Sequence, residues 1–188
     1  MAIDRKQAPP IVDAVNFNLQ LKPYQSYVLR NGVKVYAVDA GAEDVIQLEW
    51  VFFAGNNQEE QNLVAATTNF LLRNGTSQRT AFQLNEHFEY YGAHVNRACY
   101  NETATISLHT LSKHIGELLP VVKEMITDST MPSDELAIYQ QNMKQRLKVN
   151  LKKSDFVAGR LIDVYLYGEQ HPYGKYSKAE DFDALDRD

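Results

Sequence analysis

"FLLRNGTSQRTAFQLNEHFEYYGAHVNRACYNETATISL", residues 70–108, holds a helix end, a second helix and two strands in close succession. Asn74-Gly75 stops an apolar-periodic stretch that begins upstream in NLVAATTN (62–69). Thr76 to Thr80 is a polar connection. Thr80 then stands where a cap belongs, Phe82, Leu84 and Phe88 give the helix its apolar positions, and Gly92 closes it. From Ala93 the period changes to two, so AHVNRACYNETATISLHTL (93–111) reads as two strands turning near Tyr100-Asn101.

The flanking sequence extends the same alternation. YQSYVLR (24–30) and VKVYAVD (33–39) are strand-like, and Asn31-Gly32 between them signals a hairpin whose two turn residues both tolerate positive φ. VIQLEWVFFAG (45–55) is apolar enough for a central strand, and the pattern turns helical after Gly55. Glu59 and Glu60 precede that helix, where acidic groups suit the positive end of its dipole. Downstream, Leu118, Leu119, Val122 and Ile126 predict a helix from about Ser112 to Thr127. Ser133 is the expected cap of a long helix running through QQNMKQRLKVNLKK. DFVAGRLIDVYLYG (155–168) is a further helix, and EQHPYGKYSKAEDFDALDRD (169–188) is polar and turn-rich. This order predicts an α+β fold, a mostly antiparallel sheet with helices on one face. Residues 1–22, with Pro9-Pro10, read as an extended arm, and 23–188 as a single domain.

The 188 residues suffice for one domain with a real core, and 44% hydrophobic with 23% charged residues is ordinary globular composition. A net charge of -5, with no basic stripe interleaved with aromatics, gives a nucleic-acid role no support. No apolar run approaches the roughly 20 residues that span a bilayer. The N-terminus lacks a signal-peptide h-region, so the default expectation is a cytoplasmic protein. Cys99, the single cysteine, excludes an intramolecular disulfide and is expected as a buried, inert thiol.

Chemistry is sparse. None of the five histidines forms H-x-x-x-H or H-x-x-H. His87, beside Glu86 and Glu89, and His94 could conceivably clasp a metal, although a solvated helix histidine plus a strand histidine is the commoner arrangement; His109 and His114 read as surface residues. No nucleophile elbow, Walker loop or dinucleotide fingerprint occurs. Five Lys or Arg residues lie between 144 and 153, with no acid from 136 to 154, as on a solvated or partner-facing helix.

Taken in order, YVLRNGVKVYAV, VFFAGNNQEE, the stretch quoted at the outset, MPSDELAIYQQNMKQRL and HPYG (171–174) resemble the N-terminal domain of the pitrilysin/insulinase family of zinc peptidases. The processing-peptidase type is the nearest match. The resemblance covers about residues 24 to 185 and implies a LuxS/processing-peptidase-like metallopeptidase fold. In the family, an inverted motif, H-x-x-E-H, supplies two zinc ligands and a general base on one helix. A further glutamate on the long helix completes the coordination.

Aligned on Gly75-Thr76, the first histidine falls on Ala66, the base on Asn69, the second histidine on Phe70, and the distal glutamate near Arg146. None of these side chains can do the family's work, so zinc is expected to be absent, with no catalytic residues and no cofactor. Phe70 is expected to fill the metal's space, its burial contributing about 1.5–3 kcal/mol. The resemblance therefore implies a non-catalytic subunit that helps enclose peptide substrate for a zinc-bearing homologous partner. The alternatives are a stand-alone scaffold of the same fold, or a metalloendopeptidase with a relocated site through His87 and His94. By resemblance, another helix and strand and then a second similar domain would follow. The chain is therefore expected to be a fragment whose unpaired sheet edge invites homodimer contacts or an extended peptide.

Overall fold

The computed structural model describes residues 20–41 and 43–187, so the expected arm lies almost wholly outside the described residues. The chain divides into two compact units, Met1–Ala42 and Glu43–Asp188.

The first unit contains an antiparallel hairpin of β1 (Tyr24–Val28) and β2 (Lys34–Val38), in register from Tyr24↔Val38 to Val28↔Lys34. Its turn differs from the sequence expectation. Leu29 N–H donates to the Val33 carbonyl, leaving a three-residue loop in which only Gly32 takes positive φ, at 85°. Asn31 instead folds its side-chain oxygen onto the Val33 N–H at 3.2 Å. Local hydrogen bonding by the Asn side chain favours this longer turn over the two-residue one.

The second unit is built on a three-stranded antiparallel sheet in the order β3-β5-β4: β3 (Val45–Phe52), β5 (Ala104–Leu111) and β4 (His94–Cys99). The register runs Val45↔Leu111 to Phe52↔Ala104 on one side of β5 and His94↔His109 to Cys99↔Ala104 on the other. Side chains alternate across a strand. Leu48, Trp50, Val95, Ile106 and Leu108 therefore share the face covered by helices, while Gln47, Glu49, His94, Asn96, Ser107 and His109 share the other.

On the helical face lie α1 (Val64–Leu71), α2 (Ala81–Tyr90) and α3 (Ile115–Thr127), followed by α4 (Ser133–Asn150), α5 (Ser154–Tyr167) and a short α6 (Ala179–Asp183). Thr80 caps α2 through a full capping box with Gln83, and Gly92, at φ 60°, follows its C-terminal end. Ser133 is not a cap: α4 starts on it, Pro132 takes the cap position, and no side chain bonds the first turn. Proline's fixed φ and missing donor suit that place without a side-chain bond. The tail read as turn-rich contains α6, which binds α4 through Gln140 Nε2 donating to the carbonyls of Phe182 and Leu185, at 2.7 and 2.9 Å. Lys144 and Asp183 add an ion pair. Too few residues for a visible period made this helix illegible in sequence.

Candidate functional site

The segment leading into α1 is fixed by its neighbours before the helix begins. A Cβ on Gly55 would lie 2.4 Å from the Tyr100 carbonyl oxygen, so only glycine lets the chain approach the β4–β5 turn this closely. Asn56 and Asn57 then donate their N–H groups to the Tyr100 and Asn101 carbonyls. The helix itself starts later than its periodicity suggests, because Leu63 adopts the left-handed conformation at φ 76°. That conformation costs a non-glycine residue about 1–2 kcal/mol. Glu59 offsets it: its two carboxylate oxygens accept from the N–H groups of Leu63 and Ala65 at 3.0 and 2.9 Å. Glu59 thus caps α1 from outside the helix, where a carboxylate also meets the positive end of the dipole.

Ala66, Asn69 and Phe70 come together on α1, as their spacing requires. Asn69 is 5% exposed, and its Nδ2 donates to the carbonyls of Ala98 at 2.8 Å and Thr105 at 3.4 Å, residues paired across β4 and β5. An amide can make these bonds and a carboxylate cannot, since ionised Asp or Glu only accepts. Phe70 packs on Tyr139 of α4 with ring centroids 4.6 Å apart, and the guanidinium carbon of Arg97 lies over the Phe70 ring, 4.8 Å from its centroid. Arg97 also donates to the Phe70 carbonyl and, at 3.4 Å, to Asn74 Oδ1. Burial, reinforced by Arg73, pushes the Arg97 pKa down to about 10.

Arg146 is less central than the alignment suggests. It is exposed on α4, while its neighbour Leu147 is buried and Met143 packs inward with Phe70. Helix phase turns position 146 toward solvent. Its charge still reaches Tyr139: burial raises that phenol's pKa, and Thr67 and Arg146 oppose the rise. Sequence reasoning placed Glu59 at the positive end of this helix but missed Tyr139 and Arg97, which have no motif spacing with α1. Cys99, expected to be buried, is half-buried and donates to Asn56 Oδ1 at 3.2 Å; burial and then Glu59 raise its pKa, which keeps it a thiol.

Ala66 lines a cleft of about 250 Å³ that also touches Glu59, Asn62, Phe156, Arg160 and Lys175. The HPYG turn anchors nearby structure: Tyr173 donates to Glu102 of the β4–β5 turn at 2.6 Å.

The residues present do not suit a zinc ion. Ala66 and Phe70 have no donor atom, the Asn69 amide points its N–H groups at carbonyls, and a guanidinium stands over Phe70. No group of three or more His, Cys, Asp or Glu placed to hold a metal occurs among the described residues. His87 and His94 are not brought together: His87 sits between Phe88 and Tyr91, whereas His94 pairs with His109 across the sheet, ring centroids 6.2 Å apart. No helix among the described residues is long and apolar enough to cross a membrane.

No family model matches the chain. An uncharacterized zinc protease of Rickettsia felis is 24% identical over 149 residues, covering 78% of this chain and 36% of that protein. The inactive domain of a peptidase M16 from Pseudomonas fluorescens superposes with a TM-score of 0.82 at 26% identity, covering 87% of this chain and 41% of that one. A protease from Helicobacter pylori has the same fold, with a TM-score of 0.74 at 15% identity over 89% of this chain and 41% of its own. So does the periplasmic protease PqqL of Escherichia coli, at 0.66 and 16%, over 95% and 22%. The chain thus spans well under half the length of each of these proteins. In fold and in the order of its segments the chain is thus similar to M16 peptidase domains of the pitrilysin/insulinase kind.

Proposed function

We propose that the chain is a non-catalytic member of this family, which helps enclose and bind a peptide for a zinc-bearing homologous partner. The observation that carries this reading is the fate of the motif helix. Where the family has ligand, base and ligand, Ala66 lines a cleft, Asn69 bonds α1 to two strands, and Phe70 packs on Tyr139. The helix keeps its position on the sheet while its side chains perform packing and anchoring. The likeness to a domain described as inactive supports the same reading.

Elemental analysis of the purified protein tests the first half: far less than one zinc per chain is expected. Stoichiometric zinc, removed by a chelator together with peptide hydrolysis, would overturn it. Purification from the native cell tests the second half and is expected to bring down a homologue with an intact H-x-x-E-H. Repeated isolation of a lone chain would favour a stand-alone scaffold.

A further inference from the structure

We propose that the cleft over Ala66 binds an extended polypeptide through an acidic side chain, with Arg160 as the anchor. This rests on the peptide-binding reading above and specifies which peptide. Arg160, on α5, is held between two rings, its guanidinium carbon 5.3 Å from the Phe156 centroid and 4.4 Å from that of Tyr176. These two contacts restrict the side chain. It donates to the Ser177 carbonyl, its one hydrogen bond among the described residues, so most of a five-donor fork remains for a ligand.

Two cavities meet at this side chain. One is the cleft of about 250 Å³ beside Ala66; the other is a groove of about 1040 Å³ along α4 and residues 176–183. The groove brings Lys148 and Lys178 to the same region, and the cleft brings Lys175. The acids there are largely engaged: Glu59 accepts from the amides of α1 and Asp183 pairs with Lys144, leaving Glu180 on the groove's lining. A chain of net charge -5 thus collects positive charge at one pair of connected cavities, which complements a carboxylate.

The rest of the cleft suits a peptide. Asn101 offers a side-chain amide, Asn56 keeps its amide N–H groups beside the bond from Cys99, and Asn62 keeps its amide oxygen beside the bond to Asp181, so the cleft can both donate to and accept from an extended backbone. A single nucleic-acid strand would need bare aromatic faces for its bases, and Arg160 already covers Phe156 and Tyr176.

Fluorescence anisotropy on the 188-residue chain tests this with a labelled nine-residue peptide of Ala, Thr and Val carrying one central Asp, against its Asn counterpart. The Asp peptide is expected to bind about ten- to a hundredfold tighter, the worth of one charge-assisted contact. Arg160→Gln should erase the preference, and Arg160→Lys, which keeps the charge but not the fork, should retain part of it. The wild-type comparison stands even if a variant misfolds. Equal binding of the two peptides overturns the acidic anchor and leaves peptide binding intact. Binding of neither overturns the peptide-binding reading itself. Tighter binding of a single-stranded oligonucleotide than of the Asp peptide overturns the proposal in favour of a nucleic acid.

Discussion

The two apolar clusters of the larger unit are held in different ways. Under α2 and α3, Leu84, Phe88, Ile106, Leu108, Leu118, Val122 and Met125 are closed off from solvent, with Arg73 over the Phe88 ring at the edge of the cluster. Under α1, α4 and α6, Leu71, Leu136, Leu147, Phe182 and Leu185 retain a little exposure, and Asn69, Arg97 and Tyr139 border them. The first cluster depends on buried area. The second depends on oriented contacts as well, because a few leucines spread over α1, α4 and the α6 region cannot fix one arrangement by packing alone. Phe70 packs against the second cluster, and polar contacts from Asn69 and Arg97 hold α1 to the sheet beside it.

Truncation separates the two most sharply. Phe88→Ala is expected to cost about 3–5 kcal/mol in urea unfolding. Phe70→Ala, at a half-buried ring, should cost about 1–3 kcal/mol. An equal or reversed order would break the comparison.

Asn69→Asp comes next, at about 3 kcal/mol near neutral pH, since a buried carboxylate would face two carbonyl oxygens. Burial and those oxygens would raise the folded-state pKa of the new carboxyl above its unfolded value. The variant's deficit should then be smallest below about pH 4 and grow as pH rises through that raised value. A deficit that stays constant from acid to neutral pH would show that the amide does not anchor the helix.

Thr80→Ala, which removes the local cap of α2, should cost about 1 kcal/mol. The smallest effect concerns α1 and its distant cap. Because Glu59 raises the Cys99 pKa, Glu59→Gln should speed alkylation of Cys99 at neutral pH a few-fold. An unchanged or slower rate would place Glu59 outside the electrostatics of the site.

Much of the fold was legible because its signals are local. The hairpin strands, the Thr80 cap, the Gly92 stop and the paired strands near Tyr100 all follow from residues within a few positions of each other. The site was legible only as a set of absences at Ala66, Asn69 and Phe70, together with Arg146, which stands exposed on α4. Helix phase, which decides that Leu147 faces inward and Arg146 outward, cannot be read reliably across a helix with no strong apolar stripe.

The amino-acid sequence alone determined most of the strands and helices, α6 excepted, and that Ala66 and Phe70 offer no side-chain donor to a metal, since both depend on residue chemistry and short-range spacing. Only the tertiary structure decided what those residues do instead. Glu59 becomes the cap of α1, Asn69 a link to the sheet, and Arg160 a cation held between Phe156 and Tyr176, because each role requires atoms brought together by packing. Hydrogen bonds and ring contacts act over a few ångströms of space, and the distance along the chain between such partners carries no trace of them.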